Sequence, residues 1–465
     1  MDIKIALIFS AITLICVLIK ESFIGIVLLF TYFYFVLVCL HRKYKIKEIL
    51  FLSWNAVKSA LVVLKVLGLI GAIIGIWLAS GTIPAAVYYS LDYVSSNYFP
   101  LLCFILCGGI SFLIGTSFGT CSILGVPLML IATAGNANIG IISGAIISGA
   151  YFGDRMSLMS SSAALVANVS KSSLMKNMRN MAKSGLIATI LTVGFFCYMS
   201  KYTALDTIDS QIQTQLEKAF HVSYILLIPA ALLLVMALAG IRMNVAMMIS
   251  IVSALFLAIF KQDHAVAEVA KTLVFGYQME EKTNPLYTII QGGGILSMGK
   301  AGLVVLVSSA LVGLLTELKV MHSIKNHIES KTYTRQGLFF MTSVVASLVG
   351  MIGCNQSIAI IMTADMMKGA YQQYHWRKDD DLKMDTEDFI HQQLAIDLEN
   401  SAVLIAGLIP WSIASMVPAS TIGVTPFVFI PFAFFLYAVP ICYFTQLAVS
   451  EKYKKIKNNR FDSTA

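Results

Sequence analysis

Charge is scarce in this chain. Of 465 residues only 12% are charged, while 58% are hydrophobic; soluble proteins carry about 25% charged residues. That deficit leaves almost nothing from which to build a soluble domain. Catalytic and cofactor motifs are also lacking: there is no CxxC, HExxH or P-loop signature. The eight cysteines all sit in apolar runs, where a free thiol behaves as a small hydrophobe. Cys103 and Cys107 have helical spacing and read as packing on one face, not as metal ligands. The connection at 80–97 contains no Lys or Arg.

What is present is a series of long apolar runs. A helix needs about 20 mainly apolar residues to cross the hydrocarbon. Clear runs lie at 3–19, 22–40, 59–79, 98–114, 185–199, 222–239, 243–260, 301–318, 337–353, 401–417 and 423–447. Shorter or Gly-rich ones lie at 122–134, 138–153, 286–299 and 356–371. The fold class is therefore all-α: a polytopic integral membrane protein with about 11–14 transmembrane segments, some broken or re-entrant. The first run lacks a small-x-small cleavage site before Lys20-Glu21 and reads as a retained helix, not a signal peptide.

The formal net charge of +8 is concentrated at a few places. One basic loop runs through His41-Arg42-Lys43-Tyr44-Lys45-Ile46-Lys47, within a connection at 41–57. Lys319, Lys325, Lys331 and Arg335 mark another, and the tail carries Lys452, Lys454, Lys455, Lys457 and Arg460. Positive loops stay on the cytoplasmic side, which places the 41–57 loop and both termini in the cytoplasm. These charges flank apolar helices and do not line one face, so nucleic acid is not a partner.

The organisation expected is an N-terminal hairpin with its basic loop (1–58), a first repeat (59–200), a polar connector (201–221), a second repeat (222–447) and a basic tail (448–465). Each block carries a Gly/Ser-rich, charge-bearing interruption late in its length. Interrupted segments in corresponding places of two halves point to a transport site near the bilayer midplane, between inverted repeats. In the first half, Gly115-Thr116-Ser117 precedes GAYFGDRMSLMSSS (149–162). In the second, Gly353-Cys354-Asn355-Gln356-Ser357 precedes IDLENSAVLIAGLIPW (396–411). Gly292-Gly293-Gly294 after Gln291 reads as a flexible or broken entry to the next span. The acidic run Asp379-Asp380-Asp381 lacks EF-hand spacing and reads as a solvated loop.

Several residues have two readings. Asp154 and Arg155 are either buried groups facing a cavity, since a charge at membrane depth costs about 2.5–3.5 kcal/mol, or a solvated loop end. Glu317 is a proton-titrating carboxylate or the polar end of its helix; Lys319 so close behind favours the second. Glu399, Asn400 and Ser401 are a helix N-cap, a ligand set, or both. Asn355 and Gln356 bond between helices or touch substrate. Thr116 and Ser117 allow close helix packing or offer oxygens to sodium.

Several stretches together resemble the NhaC-type sodium/proton antiporter family, of the wider ion-transporter superfamily. They are 77–91, GTSFGTCSILGVPLM (115–129), ISGAYFGDRMS (147–157), 292–317, CNQSIAIIMTADMMKGAY (354–371), LENSAVLIAGLIPWSIA (398–414) and 420–435, in family order. The resemblance implies a secondary active transporter of a prokaryotic inner membrane, with inverted repeats, no enzymatic activity and no cofactor. It exchanges sodium for protons, or couples an ion to an amino acid or small carboxylate, with Arg155 as a carboxylate clamp in that case. A non-transporting membrane scaffold is the third alternative. The partners are sodium and protons or a small organic solute, the lipid bilayer and, optionally, a second copy of the chain.

Members commonly carry an acid where Ser161 stands, an Asn at Ala164, Asp-Gln at Asn355-Gln356 and Glu-Asp-Ser at Glu399-Asn400-Ser401. Three carboxylates are thus neutral here, while Asp154, Glu317 and Glu399 remain. The site expected on these grounds comprises Asp154, Ser157, Ser161, Thr116, Ser117, Asn355, Gln356, Glu399, Asn400 and Ser401. Asp154, Glu317 and Glu399 are its candidates for carrying the proton.

Overall fold

The computed structural model describes residues 24–90, 98–203, 210–279, 290–318, 328, 333–374 and 386–462. The first apolar run, Lys319, Lys325, Lys331 and the acidic run at 379–381 lie outside them. The described chain is built of helices; its only β pairing is an isolated bridge between Tyr277 and Gly292. Six of these helices are long and apolar enough to cross a membrane, or up to nine if each bent pair is one span.

Helix α1 (Ile24–His41) and helix α2 (Ile46–Ala79) are joined by a short turn, Arg42–Lys45. The connection expected at 41–57 is therefore mostly helix. Glu48 accepts from the Lys45 backbone N–H at 3.0 Å, which satisfies an orphan donor and starts α2 there. At 34 residues, or about 51 Å, α2 outreaches the hydrocarbon and carries the polar positions of the expected loop beyond it. A second difference lies in the polar connector, where Ser210–Ala219 forms helix α10; its Glu217 accepts from the Tyr88 hydroxyl of α3 (Thr82–Ser90) at 2.5 Å.

The first interruption separates α4 (Phe99–Ile114) from α5 (Ser117–Thr120), which continues through a π turn (Cys121–Gly125) into α6 (Val126–Ala134). Gly115 takes left-handed dihedrals, φ 73° and ψ 32°, and Thr116 is extended, its hydroxyl accepting from Gly119 N–H. The chain then runs through α7 (Ile139–Met156), α8 (Ser161–Ser170) and α9 (Leu174–Met199). After α10 come α11 (Ile228–Leu238), α12 (Met243–Phe260), α13 (Val266–Phe275) and α14 (Gly299–Glu317).

The second interruption repeats the first. Helix α15 (Arg335–Gly353) ends at Cys354 with φ 50° and ψ 16°; Asn355 is extended and its side chain accepts from Ser357 N–H to open α16 (Gln356–Gln373). Next come α17 (Thr386–Asn400), a break at Ser401, α18 (Ala402–Leu408), α19 (Ile413–Thr421), α20 (Pro426–Phe429) and α21 (Phe434–Asp462). Breaks expected at 115–121 and 353–358 are thus present in both halves, with one local geometry.

Gly292, Gly293 and Gly294 have φ of 123°, 71° and 82°. They form the broken entry to α14. Gly294 N–H donates to the Gly71 carbonyl of α2 at 2.6 Å. A cavity of about 500 Å³ lies beside this loop, against Leu78, Thr133 and Thr421. Cys103 and Cys107 are both buried in the main core.

Candidate functional site

Helix α7 is held by its small residues. A Cβ on Gly149 would meet the Phe104 carbonyl, and one on Gly153 the Gly108 carbonyl and Phe112 amide, so two glycines four apart seat α7 directly on the backbone of α4. The Ser111 hydroxyl donates to the Ala150 carbonyl at 2.5 Å across the same contact. The last turn of α7 is thereby fixed at depth, and Asp154 and Arg155 on it are 7% and 1% exposed. Of their two sequence readings, the solvated loop end does not hold.

Asp154 is met by donors from two segments. Ser160 donates to its Oδ1 at 2.8 Å, and the hydroxyl and backbone N–H of Ser117 reach it from the tip of the first interruption. Ser160 is also the N-cap of α8, accepting from Ala163 N–H at 3.2 Å. Its proton is committed to Asp154, so Ser162, 2.9 Å away, donates to Ser160. The first turn of α8 and the start of α5 both present their positive ends to this carboxylate.

The end of α17 supplies the opposite wall. Asp397, Glu399, Asn400 and Ser401 are all fully buried. Arg155 donates through Nη2 to Asn400 Oδ1, and Ser184 of α9 lies 3.3 Å from Asn400 Nδ2. Glu399 lies within electrostatic reach of both Arg155 and Asp154. Both Glu399 carboxyl oxygens and Arg155 Nε are buried without a hydrogen-bond partner among the described residues. Leaving a buried polar group unmatched costs about 1–3 kcal/mol, more when it is charged.

Asp397, two residues from Glu399, faces elsewhere. Arg335 grips it with two hydrogen bonds of 2.6 Å, and the hydroxyls of Tyr443 and Tyr371 also donate to it. Arg335, read from sequence as part of a basic loop, is therefore a buried residue. Its guanidinium joins α15, α16, α17 and α21 at one point.

The remaining expected residues have definite places. Ser157 is buried and accepts from Met159 N–H at 3.1 Å. Ser161 is exposed on the outer side of the first turn of α8, while its neighbours Ser160 and Ser162 point inward. Thr116 and Asn355 cap the helices after the two breaks. Gln356 donates to the Val403 carbonyl of α18 at 2.8 Å, and Ser401 to the Asp397 carbonyl at 2.5 Å. Tyr151, one turn before Asp154, donates to the Ala414 carbonyl at 2.7 Å, tying α7 to the broken stretch after α17. Glu317 stands exposed at the last residue of α14, beside Cys39 of α1 and apart from these groups.

Of the serines that follow Asp154 in the motif, Ser160 meets it and Ser162 meets Ser160, whereas sequence reasoning missed Ser184 as a contact, and the whole Arg335 cluster. For Ser160 there was a further signal, since a serine just before a helical run such as Ser161-Ser162-Ala163-Ala164 is a preferred N-cap. For Arg335 there was none, because its partners lie on three other helices.

Comparison with known proteins places these features in a family. The model of the Na+/H+ antiporter family matches residues 149–450, a stretch that begins at Gly149 and contains Asp154, Arg155, Arg335, Asp397 and Glu399. The chain is 27% identical over 416 residues to a malate-2H+/Na+-lactate antiporter of Bacillus subtilis (strain 168), covering 88% of this chain and 86% of that one. It is 28% identical over 396 residues to the Na+/H+ antiporter NhaC of the same organism, covering 83% and 84%. To the Na+/H+ antiporter NhaC of Alkalihalophilus pseudofirmus it is 26% identical over 399 residues, again 83% and 84%. The ordered motifs, the paired helix breaks and this match together make the chain a member of the Na+/H+ antiporter family, a multi-pass α-helical membrane transporter.

Proposed function

We propose that this protein exchanges sodium for protons across a prokaryotic inner membrane, and that Asp154 and Glu399 are the groups at which the two ions compete. The observation that carries this reading is the pair of buried carboxylates at converging helix breaks, one ringed by hydroxyls and the other with no partner. A carboxylate in a poorly screened place must be neutralised, by a proton or by a metal cation. Hydroxyl groups rotate, so Ser117 and Ser160 donate to Asp154 when it is bare, with Ser162 donating to Ser160 behind them, and turn lone pairs to sodium when it is occupied. Glu399 takes the proton in exchange. Asn355 and Gln356 lie at the second interruption and Ser401 at the break after α17, and they shift with these breaks as access alternates between the two faces. In this reading the two broken halves are inverted repeats and both termini are cytoplasmic.

The test is purified protein in proteoliposomes with an imposed pH gradient. Sodium uptake that alkalinises the lumen in step supports the reading; acidification in step would be co-transport and refutes it. No sodium-dependent proton movement refutes it.

A second reading rests on one observation. Arg155 is buried with its Nε unmatched, and a guanidinium is a bidentate partner for a carboxylate. A relative is named a malate-2H+/Na+-lactate antiporter. Counterflow of a labelled small carboxylate or amino acid in the same vesicles supports ion-coupled solute exchange, with Arg155 as the clamp.

A further inference from the structure

We propose that the exchange is electroneutral, one sodium for one proton; this rests on the sodium/proton reading above. Five charged side chains are buried among the described residues: Asp154, Arg155, Arg335, Asp397 and Glu399. Arg335 and Asp397 cancel each other in a two-pronged ion pair. Arg155 offsets one of the other two carboxylates, both of which lie within its cluster. With all of them ionised, three carboxylates against two guanidiniums leave one negative charge in excess.

Charged groups on the elements packed around the cluster do not change this count. Lys176, Arg179 and Lys183 of α9, Asp365 and Lys368 of α16, and Asp388 and His391 of α17 are exposed or half-buried, where solvent and salt screen them. Lys176 and Asp388 also pair with each other at 2.7 Å.

A carrier changes its access most easily when its buried site is neutral, because an uncompensated charge in hydrocarbon surroundings is costly. One excess negative charge is neutralised by one sodium ion on one journey and by one proton on the other. Neither loaded form then carries net charge, and the cycle moves none. The side chain that lies against Arg155 is the neutral Asn400, so it adds no charge to the count.

The test uses the intact protein in proteoliposomes, with potassium and valinomycin setting the membrane potential at zero or about −100 mV. A carrier moving one net charge per cycle would have its equilibrium shifted about 50-fold by that potential. For the wild type, the rate and final level of pH-driven sodium uptake should change by less than about 2-fold, and the proton-to-sodium flux ratio should be near one. A potential-driven change beyond this, or a ratio near two, overturns the proposal while leaving sodium/proton exchange standing. Absence of exchange at either potential overturns both. Asn400→Asp adds a second excess negative charge and should make uptake depend on the potential. An active Asn400→Asp protein that stays insensitive overturns the charge argument; if that variant does not fold, the wild-type measurement decides alone.

Discussion

Asp154 and Glu399 are both buried carboxylates, yet their surroundings differ. Asp154 receives hydrogen bonds from Ser160 and Ser117, so it is held in one orientation. Glu399 has none from the described residues and is held by charge alone. Replacing Asp154 with Asn keeps an acceptor for Ser160 and removes the charge. One charge at about 4 Å is worth roughly 4 kcal/mol at an effective dielectric near 20, before desolvation. Sodium affinity should therefore fall by at least about 100-fold in Asp154→Asn, while the protein still inserts and elutes as a single species in detergent. Unchanged sodium and proton fluxes in this variant would sink the antiport reading and promote solute exchange. Glu399→Gln should lose proton coupling by the same reasoning, read as sodium counterflow without a pH change. The Arg335–Asp397 pair behaves otherwise. Asp397→Asn leaves a buried guanidinium uncompensated, which costs about 3–5 kcal/mol and should lower the melting temperature in detergent. The double change Arg335→Met with Asp397→Leu should recover most of that loss; a double variant as unstable as the single one would mean that the pair does more than balance charge.

At the scale of elements, the site depends on how closely α7 approaches α4. Gly153→Ala puts a methyl group into the Gly108 carbonyl and the Phe112 amide. Overpacking of this kind costs about 1–3 kcal/mol, and here it also pushes Asp154 away from Ser117. Transport should fall more than folded yield does. Gly194→Ala on α9 meets nothing within 4 Å and should leave both unchanged; equal effects of the two changes would contradict the role given to the close contact. Much of this level was legible in the sequence. Hydropathy marked the spans because a buried backbone in lipid has to be helical. Gly115 and the Cys354-Asn355 step marked the breaks, since a left-handed residue followed by a capping side chain ends one helix and starts another. Faces were less legible. Ser161 was expected to point inward by its position in the motif, but the start of α8 at Ser160 sets the rotation and turns Ser161 outward. The start of α2 was hidden because its first residues are too charged for a hydropathy criterion, although Glu48 three residues after Lys45 was a capping signal.

At the scale of the whole molecule, sidedness follows from one long helix. Helix α2 runs without a break from Ile46 to Ala79, about 51 Å at the usual helical rise, against a hydrocarbon layer of about 30 Å. Its two ends must emerge on opposite sides. The basic turn with Arg42, Lys43 and Lys45 lies at one end, and Lys43 and Lys45 are exposed. At the other end, Gly81 packs against Gln262, in the turn between α12 and α13, where Asp263 is exposed. Positive loops are retained in the cytoplasm, so the expected placement is Lys45 inside and Asp263 outside. The described native cysteines are buried or half-buried, which leaves a low background for labelling. In intact cells a membrane-impermeant maleimide should modify Asp263→Cys at once and Lys45→Cys only after permeabilisation. Labelling of both from outside would show that α2 does not cross the membrane. The reverse pattern would keep the span and invert the protein, setting both the cytoplasmic termini and the direction of exchange the other way round.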